Sequence, residues 1–285
     1  MPHTDEIMLN IAYKKDTFAS PCALVLGCFD GVHRGHGSLI RRAKDSGLPM
    51  GLMLLEGKDR DSLFTREERA FVAEKMGVDF CFWVTLDEET AHTPAELFLR
   101  RIVEKINVKL FVCGEDFRFG DGANGTPETI KGFGELACLP LLTDRGEKIA
   151  SSRIKELVAR GEVERANELL EVPFFVTGTV RHGRGVGHTY GFPTANIDYP
   201  QGKCKLGMGV YAVTVGAHRG IANYGGRPTF REENPVLEVY IDGFEGDLYG
   251  KKVRVEFDRK IRDIRKFASK EELKEQLERD IRTVR

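Results

Sequence analysis

The stretch "ALVLGCFDGVHRGHGSLI", Ala23 to Ile40, decides how the first half of this chain folds. Ala23-Leu24-Val25-Leu26 is an apolar run of strand character, Ser38-Leu39-Ile40-Arg41-Arg42-Ala43 reads as helix, and Gly27 to His36 is the turn between them. In a parallel sheet such a turn lies at the carboxyl ends of the strands, where these sheets bind ligands. Glycines there let the backbone approach a phosphate, and the new helix offers free amides and the positive end of its dipole. A P-loop would carry Lys-Ser or Lys-Thr; this turn carries His33 and His36 instead. Histidines can donate hydrogen bonds to a phosphate that becomes more negative during reaction, which stabilises a transition state without a covalent step. That suits nucleotidyl transfer, in which the incoming phosphate oxygen is already ionised near neutral pH and needs no general base. A metal site is disfavoured, because no further ligand cluster is evident among the seven histidines.

Outward from this turn the first half alternates. Cys22–Cys28, Met50–Leu55, Val78–Val84, Lys109–Cys113 and Ala137–Leu142 read as strands. Helices follow at His36–Ser46, after the capping box Thr65-Arg66-Glu67-Glu68, and after Thr93-Pro94-Ala95-Glu96, where a cap, a first-turn proline and the box glutamate combine. This alternation predicts an α/β fold with a parallel sheet wrapped by helices. Ser151 and Ser152 cap a helix that stops at Gly161, and a short helix, Glu162–Leu170, follows. After Pro173 the texture changes to strand-like runs, Phe174–Val180, Gly209–Val215, Val236–Ile241 and Lys252–Phe257, separated by Gly- and Pro-rich loops. That predicts an antiparallel barrel or sandwich. A last capping box, Ser269-Lys270-Glu271-Glu272, opens a helix with Leu273, Leu277 and Ile281 on one face. The expected domains are residues 1–170 and 171–285.

Composition bounds the partners. Lys plus Arg is 43 against 44 Asp plus Glu in 285 residues, so no basic excess points to nucleic acid. No apolar stretch approaches membrane-spanning length, and the N-terminus lacks the apolar core of a signal peptide. None of the six cysteines forms a Cys-x-x-Cys pair, which reads as reduced thiols in the cytoplasm. No obligate protein partner is evident.

The motifs carry a resemblance along essentially the whole chain. Gly-x-Phe-Asp-Gly-Val-His-x-Gly-His resembles the adenylyltransferase half of bacterial bifunctional riboflavin kinase/FAD synthetases. "GEDFRFG", Gly114–Gly120, and "KIASSRIKEL", Lys148–Leu157, are similar to further segments of that half. The resemblance implies a Rossmann-like nucleotidyltransferase domain. In it His33 and His36 are catalytic, and Gly27, Phe29, Asp30, Gly31, Gly35, Gly114, Asp116, Ser151, Ser152, Arg153 and Lys155 bind ATP or FMN. Lys155 stands where the family usually has Arg, and Leu54-Leu55-Glu56-Gly57-Lys58-Asp59 where it often has Pro-His-Pro.

In the second half, "GFPTANI", Gly191–Ile197, follows a glycine-rich loop, Gly183–Gly187. Thr194 and Asn196 are neutral oxygen donors two residues apart, on one side of the chain if the segment is extended, while the residues by themselves equally suit an Asx or Thr turn around Pro193. With "IANYGGRPTF", Ile221–Phe230, and "LEVYIDGFEGDLYG", Leu237–Gly250, this order of segments resembles the riboflavin kinase domain. The resemblance implies a six-stranded barrel with Glu238 as catalytic base and Thr194 and Asn196 on the Mg²⁺ that accompanies ATP. Gly183, Gly187, Gly191, Pro193, Asn223, Arg227 and Thr229 would bind ATP or flavin. His188 and Tyr240 stand where the family commonly has Arg and His. The implied activity is ATP-dependent phosphorylation of riboflavin to FMN, then adenylyl transfer to FMN, giving FAD and pyrophosphate. The implied ligands are riboflavin, FMN, FAD, ATP and ADP. Two alternatives stand beside this reading: a riboflavin kinase with a weakened adenylyltransferase half, motivated by Lys155 and the missing Pro-His-Pro, and a flavin-binding regulator without turnover.

Overall fold

The apolar run at Ala23–Leu26 closes a strand in the middle of a six-stranded sheet. A computed structural model describes residues 9–57, 61–181, 194–226 and 236–285, and the chain divides into two compact units, Met1–Ser151 and Ser152–Arg285. In the first unit, β1 (Leu9–Ala12), β2 (Phe18–Val25), β3 (Met50–Glu56), β4 (Phe80–Thr85), β5 (Ile106–Gly114) and β6 (Glu135–Leu139) lie in the order β1-β4-β3-β2-β5-β6. Every neighbouring pair is parallel. The chain builds from β2 to β3 and β4 on one side, then crosses to β5 and β6 on the other. The order therefore reverses between β2 and β5, and the crevice beyond their carboxyl ends is the switch point where such sheets take ligands.

Helices α1 (Arg34–Lys44), α2 (Arg66–Lys75), α3 (Glu88–Ala91), α4 (Ala95–Lys105) and α5 (Pro127–Ile130) accompany this sheet, with a small hairpin of β7 (Thr143–Asp144) and β8 (Glu147–Lys148). Strands covered on both faces read as unbroken apolar runs, as Cys22–Val25 does, each residue at 0% exposure. Leu24, Phe82, Ile102 and Phe111 belong to one core cluster. Thr65 caps α2 in a complete box with Glu68. The expected cap at Thr93 is a correction: Pro94 occupies the N-cap of α4 with no side-chain bond, and the Thr93 hydroxyl donates instead to the Glu89 carbonyl at 2.8 Å. Proline one residue later fixes the entry to α4, so Thr93 is left to close the short α3.

In the second unit β9 (Phe175–Arg181), β10 (Thr194–Ile197), β11 (Gly209–Val215), β12 (His218–Gly225), β13 (Val236–Ile241) and β14 (Lys252–Arg262) form a closed antiparallel barrel, order β10-β13-β12-β11-β14-β9. Pairing of Asn196 with Arg181 and of Ile197 with Val180 closes β10 onto β9, which decides barrel over sandwich. The terminal helix α8 (Lys270–Arg282) starts at Ser269, whose side chain accepts from the Glu272 amide, and buries Ile281 against Val210 and Ile221. Helices α6 (Ser151–Arg160) and α7 (Val163–Leu169) precede the barrel. Ser151 and Ser152 occupy the first turn of α6. The Val158 carbonyl accepts from Gly207 N–H at 2.9 Å. The Asn167 side chain accepts from Phe174 N–H and donates to the Phe257 carbonyl, both at 2.8 Å. The compact units thus part at the first residue of α6, whereas the texture of the sequence changes after both helices.

Candidate functional site

The loop from Gly27 to His36 sits at the switch point and is too crowded for larger residues. A Cβ on Gly31 would lie 2.5 Å from Leu63 Cδ2, and one on Gly27 would lie 2.7 Å from Phe29 Cε2. His33 is the N-cap of α1, its Nδ1 accepting from the His36 amide at 3.2 Å. The His36 ring stacks on the His33 ring with centroids 3.7 Å apart, and meets the Phe29 ring at 4.3 Å. His36 Nδ1 lies 2.8 Å from the Gly31 carbonyl, which can only accept.

These partners settle the tautomers. His33 Nδ1 is a bare acceptor, so neutral His33 carries its proton on Nε2. His36 must donate through Nδ1, so neutral His36 leaves Nε2 bare. Burial holds both imidazoles neutral: His33 is pushed down to about 2, with the neighbouring His36 and Lys148 adding to the effect, and His36 is pushed down to about 4. For His36 the Gly31 carbonyl and Asp116 act in the opposite direction. At neutral pH the pair therefore presents one N–H donor and one lone pair, not two donors.

A cleft of about 330 Å³ opens in front of them. Gly27, Gly35, Gly114, Asp116 and Ser151, all expected at the site, line it together with both histidines. Lys148 also lines the cleft, and it pairs with Asp116. Its cation arrives on β8, at the first residue of the Lys148–Leu157 segment, a position to which the sequence alone assigns no role. Leu141 and Leu142, large apolar residues left more than a third exposed, lie at the same cleft. Phe29 is buried behind the histidines. Asp30 turns the other way: its Oδ1 accepts from Leu63 N–H at 2.8 Å, and it lines a second cavity of about 160 Å³ with Glu56, Arg66 and Arg69. Ser152, Arg153 and Lys155 continue α6 within the second unit.

In the barrel, register does the assembling. Glu238 on β13 pairs with Asn196 on β10 and with Asn223 on β12, so the three stand in one row across adjacent strands. Thr194 pairs with Tyr240 on the same face. Thr194, Asn223, Glu238 and Tyr240 line a cavity of about 230 Å³ that α8 covers with Leu273, Leu277 and Ile281. Thr194 also lines a neighbouring cavity of about 270 Å³ with Ala195, Phe244, Gly246, Leu248 and Tyr249. One threonine thus stands between a slot with an apolar wall and a carboxylate, and a second pocket rimmed by exposed Tyr249. Among the described residues no group of three or more His, Cys, Asp or Glu is placed to hold a metal ion.

Both halves match known families. Residues 15–153 match the FAD synthetase family and residues 170–285 the riboflavin kinase family. A bifunctional riboflavin kinase/FMN adenylyltransferase from Bacillus subtilis (strain 168) is 34% identical over 282 residues, covering 90% of this chain and 89% of that protein. This chain belongs to the bifunctional riboflavin kinase/FMN adenylyltransferase family. The Haemophilus influenzae member is 34% identical over 293 residues, with 93% of each chain covered. A crystal structure named as a macrolide-efflux protein from Streptococcus pneumoniae has the same fold throughout: TM-score 0.87, 31% identity, 97% of this chain and 98% of that one. The efflux name belongs to that protein; here no described helix is long and apolar enough to cross a membrane. Of the positions the family resemblance singles out, Gly183, Gly187, His188, Gly191, Pro193, Arg227 and Thr229 lie outside the described residues.

Proposed function

We propose that this chain runs both reactions of its family, each in its own unit. The barrel transfers the γ-phosphoryl of ATP to riboflavin, giving FMN and ADP, and the sheet unit transfers the adenylyl group of a second ATP to FMN, giving FAD and pyrophosphate. What carries the reading is that two separate constellations with different chemistry stand in the two units: the stacked histidines at the switch point, and the Asn196–Glu238–Asn223 row in the barrel.

In the barrel a ribityl hydroxyl is a poor nucleophile until its proton is accepted. Glu238 is the acceptor in this reading, with the flavin in the α8-covered slot and the nucleotide in the pocket beyond Thr194. Thr194 and Asn196 would hold Mg²⁺: neutral oxygens suit a cation whose remaining positions go to water and phosphate, and it would offset charge developing on the transferring phosphoryl group. In the sheet unit no base is required. His33 Nε2–H is a fixed donor to the phosphates, His36 joins it once it takes a proton, and Lys148 supplies a permanent charge at the mouth. Ser151, which lines the same cleft, extends the phosphate cradle with its hydroxyl. The substrates are small molecules, and a cytoplasmic location is part of the reading, supported by six cysteines that stand outside any disulfide.

The test is direct. Purified protein with riboflavin and Mg-ATP is expected to form FMN first and FAD after it, resolved by chromatography over time. FMN accumulating alone under both oxidised and reduced conditions favours the weakened adenylyltransferase. A stoichiometric flavin complex with no ADP formed favours the regulator.

A further inference from the structure

Arg69 looks, in sequence, like part of a solvated first turn: Arg66-Glu67-Glu68-Arg69 opens α2 with four charges in a row. It is 8% exposed. Its Nε donates to the Phe29 carbonyl at 2.9 Å, Nη2 to the Cys28 carbonyl and Nη1 to the Leu55 carbonyl, both at 2.8 Å. One guanidinium thus ties the loop after β2 to the end of β3. Burial pushes its pKa down, and the carboxylates of Asp30 and Glu56 act against that, so the charge is compensated where it sits.

The two loop carbonyls are the informative ones. Those of Cys28 and Phe29 belong to the peptide planes on either side of the Phe29 Cα, so pinning both fixes its φ and ψ. Phe29 has φ 45°, the left-handed region, which is strained for a non-glycine residue and persists only where the surroundings over-determine it. The ring that this backbone aims packs on His36, and His36 stacks on His33. We propose that Arg69 is a positioning residue for adenylyl transfer: it holds Phe29 in its strained conformation and through that ring sets the histidine pair. The planar fork matters, because three carbonyls in different directions need three N–H vectors in one plane, which an ammonium on a flexible stem does not supply.

The full-length chain provides the test, with its kinase as internal control. Arg69→Met keeps the stem and removes the donors, while Arg69→Lys keeps the charge beside Asp30 and removes the fork. A misplacement of the reacting geometry by about 1 Å costs on the order of a hundredfold. FAD formation from supplied FMN should accordingly lose about a hundredfold in kcat in R69M and about tenfold in R69K. KM for Mg-ATP and FMN should move by less than about threefold, since binding is not what is lost. Riboflavin phosphorylation should be unchanged in both. Folding of the first unit is followed by thermal melting; if R69M does not fold, R69K carries the test alone. A wild-type kcat in folded R69K overturns the proposal, because charge without geometry would then suffice. A raised KM for FMN or ATP at constant kcat also overturns it, making Arg69 a substrate ligand in the 160 Å³ cavity it lines.

Discussion

At the scale of single residues the two histidines are not equivalent, although the motif writes them alike. In the proposed site His33 offers a donor at any pH near neutrality, whereas His36 must first be protonated, which would couple phosphate binding to proton uptake at His36. Calorimetry of pyrophosphate binding near pH 6.5, in buffers of different ionisation enthalpy, should show net proton uptake that His36→Ala abolishes. Affinity should fall as pH rises, since the neutral ring has nothing to donate. Losing a preorganised donor costs about 3–4 kcal/mol. His33→Ala should therefore cut FAD formation by roughly a hundred- to a thousandfold, with kinase turnover intact. Acid stability follows the same depressed pKa values. An unfolded histidine titrates near 6.5, so the stability of the buried neutral pair is complete above that pH. It drains below it, toward about 4 for His36 and about 2 for His33. Melting temperature measured against pH in His33→Ala should show a shallower acid limb than the parent. The motif made the identities of these residues legible, but their protonation depends on contacts with Gly31, Phe29 and Lys148 that no spacing reveals. Lys148 shows the same limit: a lysine on a two-residue strand reads as surface charge until β8 is folded over the cleft. Lys148→Met should raise KM for ATP in adenylyl transfer by about tenfold, the value of a partly screened charge-assisted contact of about 1.4 kcal/mol. Riboflavin phosphorylation should not change.

At the scale of elements, what could be read beforehand was what burial writes as pattern. β2, β4 and β5 are covered on both faces and appear as apolar runs; β11 and β13 match the residues expected, because each is bounded by a clear break in hydropathy. β1 escaped, being four residues at the sheet edge with Leu9 half exposed. β10 and β12 escaped because short polar stretches such as Thr194–Ile197 and a strand holding two glycines, His218–Gly225, lack alternation. Those two strands nevertheless build the proposed kinase site, since Glu238 acquires its neighbours Asn196 and Asn223 only through pairing with both. The row makes a sharp expectation. Glu238→Gln keeps the shape and hydrogen-bonding capacity of the side chain but cannot take the ribityl proton, so FMN formation should fall by about 10²–10⁴. FAD formation from supplied FMN should survive, because β13 lies wholly in the second unit. Equal loss of both activities in a folded variant would mean that the sites are not independent. Wild-type FMN formation would remove Glu238 as the base.

At the scale of the whole molecule, the question is where one working unit ends. The family matches stop at residue 153 and resume at 170, leaving most of α6 and α7 in neither. Their bonds decide where they belong. Gly207 N–H on the Val158 carbonyl, and Asn167 bridging Phe174 and Phe257, tie both helices to the barrel, and α7 packs along β14. A fragment starting at Ser152 keeps all of this, whereas one starting at Glu171 leaves the Phe174 amide and the Phe257 carbonyl without their Asn167 partner. It also uncovers the flank of β14. Each such unsatisfied group costs about 1–3 kcal/mol where water cannot replace the partner. A loss of about 2–4 kcal/mol corresponds to roughly 10–20 °C in melting temperature for a domain near a hundred residues. Residues 152–285 should therefore unfold in one cooperative transition and phosphorylate riboflavin at the rate of the full chain. Residues 171–285 should melt at least about 10 °C lower while keeping the same catalytic groups, so that any residual turnover below its melting point shows an unchanged KM for riboflavin. Equal melting of the two fragments would make α6 and α7 a mere connector. A stable 152–285 fragment without kinase activity would place part of the phosphoryl-transfer machinery in the first unit.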